Sequence, residues 1–279
     1  MVPHGGDCIA KEWRWHCQRF AKDELLGSRI GGEGMSNGAP AFAVEDWWAW
    51  AAGRETRKSW QDWAIGREDT AAGESDNTLP AALRRRITPV GQRLLQAGTI
   101  CAESEPEPVY VFASRHGEMT RTLSILTSLT CQNEVSPADF SLAVHNALAG
   151  LLSIHFRNTL GHTALASGPD TFAYGFMEAL ACVHEEPGRP VLYCYGDAPL
   201  PGPYADFSHT DKGLPLVVAL MLRSPLPGEP HLTFSAGLGA PETQAGTSAA
   251  EIFLRFLLDG GNAARAEGER MNWHWARSQ

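Results

Sequence analysis

From residue 109 onward, short apolar runs alternate with stretches whose apolar positions recur every three or four residues. Val109-Tyr110-Val111-Phe112-Ala113 is short and rich in β-branched and aromatic residues, so it reads as a buried strand. A polar turn, Ser114-Arg115-His116-Gly117-Glu118, follows it, and Leu123, Leu126 and Leu129 then mark a helix. Ser136-Pro137-Ala138-Asp139 is a helix start: serine at the N-cap, proline at the first helical position and an acid at the third. Behind it Phe140, Val144, Leu148, Leu151 and His155 fall three or four apart, which predicts one helix over 136–156 with an apolar face. Residues 161–166 predict a short strand, and Pro169 opens a helix with Phe172, Phe176, Leu180 and Val183 along one side. Further strands are expected over 191–195, 214–222 and 231–236. Ser248 and Glu251 cap a last helix that stops at Gly260-Gly261. Helices between strands imply an α/β fold, a mixed sheet layered by helices.

Residues before 109 are less regular. Residues 1–34 differ in character from the rest, and Met35 is the expected start, with 1–34 a mis-called or disordered extension. A domain is expected over 35–262, opening with the stretch 41–50, and a polar, frayed tail over 263–279, with Trp273 and Trp275 as exceptions. Five tryptophans lie between 42 and 66 (Trp47, Trp48, Trp50, Trp60 and Trp63), and their irregular spacing favours packing over ligand stacking. Residues 66–80 read as a solvated loop. Arg84-Arg85-Arg86 then opens a helix running toward Gln96, a basic cluster suited to solvent or to an acidic carrier protein.

Composition narrows the function classes. A formal net charge of −9 argues against a phosphate-tracking nucleic-acid binder. No run of eighteen apolar residues and no secretory h-region is present, so a cytoplasmic protein that neither spans nor anchors in a membrane is expected. Cys8, Cys17, Cys101, Cys131, Cys182 and Cys194 form no CxxC pair and read as buried free thiols, without a metal site. His145 and His155, ten residues apart on one predicted helix, are too distant to share a metal ion and read as satisfied core or interface residues. Ser208, His209 and Asp211 lie too close in sequence for a triad without an unusual turn. Ser167 stands in Ala-Ser-Gly, not the Gly-x-Ser-x-Gly elbow of a hydrolase. Gly237-Leu238-Gly239 lacks the third glycine and following acid of a nucleotide-binding turn, so no cofactor is expected.

The chain between about 80 and 240 resembles the N-terminal half of a β-ketoacyl synthase, in the thiolase-fold superfamily. The resemblance rests on the helix Val144-His145-Asn146-Ala147-Leu148-Ala149-Gly150, the elbow Thr163-Ala164-Leu165-Ala166-Ser167-Gly168, and the strand ending at Gly196-Asp197. It implies a thiolase-like fold, present as a single N-terminal-type half. In active ketosynthases the elbow carries a cysteine whose thiolate, favoured by a helix N-terminus, attacks a carrier-bound thioester. The matching position is Leu165, which has no nucleophile. His209, His231 and His274 do not resemble the family's two catalytic histidine motifs, which lie in a second half not expected in this chain.

Ketosynthase-like proteins without the cysteine are chain-length factors, and a short version with one half of the fold resembles the partner subunit found with aryl polyene synthases. The resemblance implies a heterodimer with an active ketosynthase in polyketide or fatty-acid-like biosynthesis, the strand before the elbow lying at the interface. Candidates to touch the partner or its acyl tunnel are Phe140, Val144, His145, Asn146, Leu148, His162, Ala164, Leu165, Ala166 and Ser167. Residues near Leu165 and the 136–156 helix are expected to close the far end of that tunnel. A rival reading is a stand-alone acyl- or malonyl-thioester decarboxylase or hydrolase; a third is a structural chaperone with no say in chain length.

Overall fold

The computed structural model describes residues 39–67, 79–103, 107–132, 134–207, 215–238 and 247–278. The readings of 1–34, of Cys8 and Cys17, of Ser208, His209 and Asp211, and of Gly239 lie outside them. The eight described strands are β1 (Ala41–Ala51), β2 (Val109–Ala113), β3 (His162–Leu165), β4 (Val191–Asp197), β5 (Leu216–Arg223), β6 (Leu232–Leu238), β7 (Ala263–Glu267) and β8 (Met271–Arg277). They form one sheet in the order β3-β2-β4-β5-β1-β6-β8-β7. β2 runs parallel to both β3 and β4, and the other neighbours pair antiparallel.

β4 and β5 are buried along nearly their whole lengths, so both faces of the sheet centre need a cover. One cover is α3 (Pro89–Ala102) with α6 (Ala147–Phe156), the other α1 (Arg57–Ala64), α7 (Thr171–Glu185) and α8 (Ala249–Asp259). The remaining helices are α2 (Ala81–Arg84), α4 (Met119–Gln132), α5 (Pro137–Ala143) and a short 3-10 turn at Gly202–Phe207. α7 lies unusually close to β2. A Cβ on Gly175 would stand 2.6 Å from the Cβ of Ala113, so only glycine permits that approach. No described helix is long and apolar enough to cross a membrane.

Several boundaries differ from the sequence reading. The basic triplet does not open the long helix: α2 ends at Arg84, and α3 starts at Pro89 behind the Thr88 cap, whose Oγ1 accepts from Gly91 N. Residues 136–156 are two helices, because Val144 is extended (φ −68°, ψ 147°) and ends α5. The Ser136 cap stands as expected, accepting from Asp139 N. Cys131 is exposed, whereas Cys101 and Cys194 are buried free thiols.

The largest correction concerns the C-terminus. Residues 263–277 are not a frayed tail but the hairpin β7–β8, joined to β6, so the domain does not end at 262. Trp273 and Trp275 alternate with polar neighbours along β8, and both are fully buried. Trp275 packs within 6.5 Å of the Phe172, Phe176, Phe234 and Phe253 rings. Trp275→Ala is therefore expected to cost about 3–5 kcal/mol of stability, the usual loss for emptying a buried indole site. Urea unfolding followed by circular dichroism measures it; a tail residue would leave the midpoint unmoved.

Candidate functional site

β3 ends at Leu165 and turns through Ala166, Ser167 and Gly168 into α7. The turn is set by Gly168 at φ 61° and by Thr171, whose Oγ1 accepts from Ser167 N (2.9 Å) and donates to the Gly168 carbonyl (2.7 Å). Asp170, 7% exposed, accepts from the backbone of Glu269 at 3.0 and 3.1 Å and so ties the elbow to the β7–β8 turn. The Leu165 side chain is 6% exposed and belongs to the core on the α7 side of the sheet. Its carbonyl accepts twice, from Ser114 N at 3.2 Å and from His145 Nε2 at 3.0 Å.

The second part of the site is the loop after β2. Asp197, at the C-terminal end of β4, accepts from Ser114 Oγ (3.0 Å), Arg115 N (2.9 Å) and His116 N (3.2 Å). Ser114 Oγ in turn accepts from Gly117 N at 2.8 Å. One carboxylate thus collects the loop's amides, as a side chain does at a helix N-cap. Beside the loop Thr88 donates to Glu118 Oε1 at 2.8 Å, linking the start of α3 to the start of α4. Between these parts lies a cavity of about 310 Å³. Its apolar wall includes Leu94, Phe112, Met119 and Leu148, its polar wall Ser114, His116, Glu118, His145 and Asp197. A cavity outside the carboxyl ends of β2 and β4 stands where open α/β sheets ordinarily hold ligands.

The residues proposed from sequence divide into three groups. His145 and Leu148 line the cavity. Phe140 (60% exposed) and Val144 (39%) stand on the outer surface, as do Asn146, Ala166 and Ser167. His162 and Ala164 are half-buried, with His162 Nε2 3.4 Å from Asn146 Nδ2. Leu165 does not line the cavity; its side chain is on the opposite face of the sheet, so it cannot itself narrow that space. Sequence reasoning did not find the organising role of Asp197 or the Thr88–Glu118 link. The signal for Asp197 was an acid ending a buried strand level with a polar turn after the neighbouring strand.

The architecture, a mixed sheet between two helical layers with an elbow leading from a parallel edge strand into a buried helix, is thiolase-like. The chain belongs to the β-ketoacyl synthase family: residues 58–276 match the family model for the β-ketoacyl synthase N-terminal domain. Among solved structures, it is similar to a chain of the complex of the ketosynthase ApeO with its chain length factor ApeC from Xenorhabdus doucetiae. That match has 26% identity and a TM-score of 0.74, covering 85% of this chain and 99% of that one. Two matches at 12% identity show the fold. One is the type II polyketide synthase AntDE:AntF, an acyl-carrier protein in complex with its ketosynthase, with TM-score 0.57 and 73% and 70% of the chains covered. The other is the ishigamide ketosynthase/chain length factor, with TM-score 0.53 and 71% and 67% covered. A comparison with curated protein sequences found no match. Among the described residues no three His, Cys, Asp or Glu side chains come together to hold a metal ion.

Burial holds Asp197, Glu118 and Asp170 above the ordinary carboxylate values, against the lowering effect of their hydrogen bonds. Each therefore binds its proton more tightly folded than unfolded. Their contribution to stability is complete at low pH and is lost as pH rises from the ordinary 3.8 to 4.5 through the folded values. Asp197→Asn removes one of the three and is expected to flatten that decline, read as unfolding free energy against pH. Asp197→Ala would instead strand the loop amides at about 1–3 kcal/mol, with faster hydrogen exchange at Arg115 and His116.

Proposed function

We propose that this chain is a non-catalytic, chain-length-factor-like subunit that works beside an active β-ketoacyl synthase. The observation that carries the reading is Leu165: the elbow position that bears the nucleophile in active ketosynthases holds a side chain without one, buried in the core. An acyl-enzyme cannot form on a leucine. The similarity to the ApeO–ApeC complex supports a ketosynthase partner.

The surface supports the same reading. β3 is an edge strand, bonded to β2 on one side, and unpaired edges are ordinarily covered or blunted. The elements leading to it are apolar on the outside: Leu126, Leu129, Phe140, Val144, Ile154 and Leu160 are each 38–76% exposed. α4 packs on α5, α5 on α6, and α6 on β3, so these residues belong to one connected flank. α6 itself is apolar almost all round, a pattern suited to burial on both sides. A ketosynthase seated there would pair with β3, and the cavity behind His145 and Leu148 would lie next to the interface. The fit of the partner's growing chain into that space is the steric route by which this subunit would set product length. An acidic carrier protein at Arg84–Arg86, all three exposed, is a further contact of the same assembly.

Co-expression with a β-ketoacyl synthase of the same organism, tagging only this chain, tests the partner reading. Equal recovery of the untagged synthase, insoluble or inactive without this chain, is expected; a stable monomer that ignores the synthase would remove it. The purified chain alone should leave malonyl- and acyl-loaded carrier protein unchanged, and turnover abolished by one substitution would favour the rival enzyme reading. Within the pair, Leu148→Ala is expected to lengthen the product. Leu165→Ala should cost about 2–5 kcal/mol of stability with product length unaltered. Product lengths by mass spectrometry and unfolding curves separate the two.

A further inference from the structure

The hydrogen bonding of His145 fixes what its free nitrogen can do. A carbonyl only accepts, so Nε2, 3.0 Å from the Leu165 oxygen, must carry the hydrogen. In the neutral ring Nδ1 is then a bare acceptor. Position 117 beside it is glycine at φ 56°; a Cβ there would stand 2.9 Å from Nδ1 and cover it. His145 and Gly117 both line the cavity.

The two carboxyl groups of the wall are turned toward the protein. Asp197 is engaged by the loop amides and Ser114, and Glu118 Oε1 by Thr88, while Glu118 Oε2 is shut off from solvent. Among the described residues no lysine or arginine lines the cavity, so an anionic ligand would meet two carboxyl groups and no counter-charge. The rest of the wall is largely apolar. We propose that this cavity binds an uncharged molecule, or chain end, with an apolar body and one hydroxyl that donates to His145 Nδ1. It concerns the same cavity that the proposed function gives to the growing chain, and goes beyond that reading by naming the ligand's chemistry from residues of this chain.

Three probes of nearly equal size test it on the full-length chain: ethylbenzene, benzyl alcohol and benzylamine. An apolar cavity would favour ethylbenzene over benzyl alcohol by roughly tenfold, the cost of burying an unpaired hydroxyl. Benzyl alcohol is instead expected to bind at least as tightly as ethylbenzene and to shift the imidazole 15N resonance of His145 Nδ1. In His145→Phe it should fall roughly tenfold behind ethylbenzene. Because that variant also loses the bond to Leu165, Leu148→Trp serves as a second: it narrows the cavity and should weaken every probe together. Preference for ethylbenzene in the unaltered chain, or an Nδ1 signal unmoved at saturation, overturns the proposal. So does tightest binding of benzylamine, or probe affinity unchanged in Leu148→Trp. None of these titrations involves a synthase, so failure leaves the co-expression result standing, and the reverse holds as well.

Discussion

Phe176 packs within 6.2 Å of Phe42, Phe172, Tyr193, Phe234, Phe253 and Trp275, and most of the fold depends on that cluster. Its partners come from β1, β4, β6, β8, α7 itself and α8, so one side chain on one helix gathers strands from both halves of the sheet. Aromatic rings in edge and tilted contact add to the area they bury. The ring can sit there only because α7 lies close on β2, where Gly175 faces Ala113. Placing α7 in turn places its N-terminus, and the elbow is simply the chain arriving at that N-terminus from β3.

Seen from the elbow, the backbone and the side chain at 165 do different jobs. The leucine side chain completes the α7-side core, while its carbonyl, accepting from Ser114 and His145, joins β2, β3 and the start of α6. Asp197 extends the same set of bonds to β4. In the proposed reading, the scaffold that presents a nucleophile in active ketosynthases is kept here and hydrogen-bonded, with Leu165 at its tip. A retained scaffold without its reactive group suits a subunit whose use lies in its surfaces and cavity.

Much of this was legible in the sequence where local chemistry alone decides the outcome. The strands at 109–113 and 191–195 are runs too apolar and too short to be anything else, and the Ser136 and Ser248 caps form the bonds their residue types suggest. Periodicity misled at Val144, because the three-and-four spacing of apolar residues continues across the break while the backbone there turns extended. It misled again at the C-terminus, where polar composition concealed a period of two: Trp273 and Trp275 face the core and their neighbours do not. The cavity was illegible because Thr88, Glu118, His145 and Asp197 are brought together by long-range pairing that no local pattern encodes.

The exposed flank follows from the same topology. Central strands such as β5 are covered on both faces, and the other edge of the sheet ends in β7, whose exposed positions include Arg265 and Glu267. Charges there discourage further pairing. At the opposite edge β3 carries no lysine, arginine, aspartate or glutamate, and the helices before it show leucine, isoleucine, valine and phenylalanine outward. An edge protected at one end and apolar at the other is asymmetric in a way that folding of the lone chain does not require. The cost of displaying those side chains to water is offset only when something covers them, and the covering surface would lie beside the cavity mouth near His145. Partner contact and cavity access are thereby tied to one element: α6 contributes Ile154 to the surface and Leu148 to the cavity.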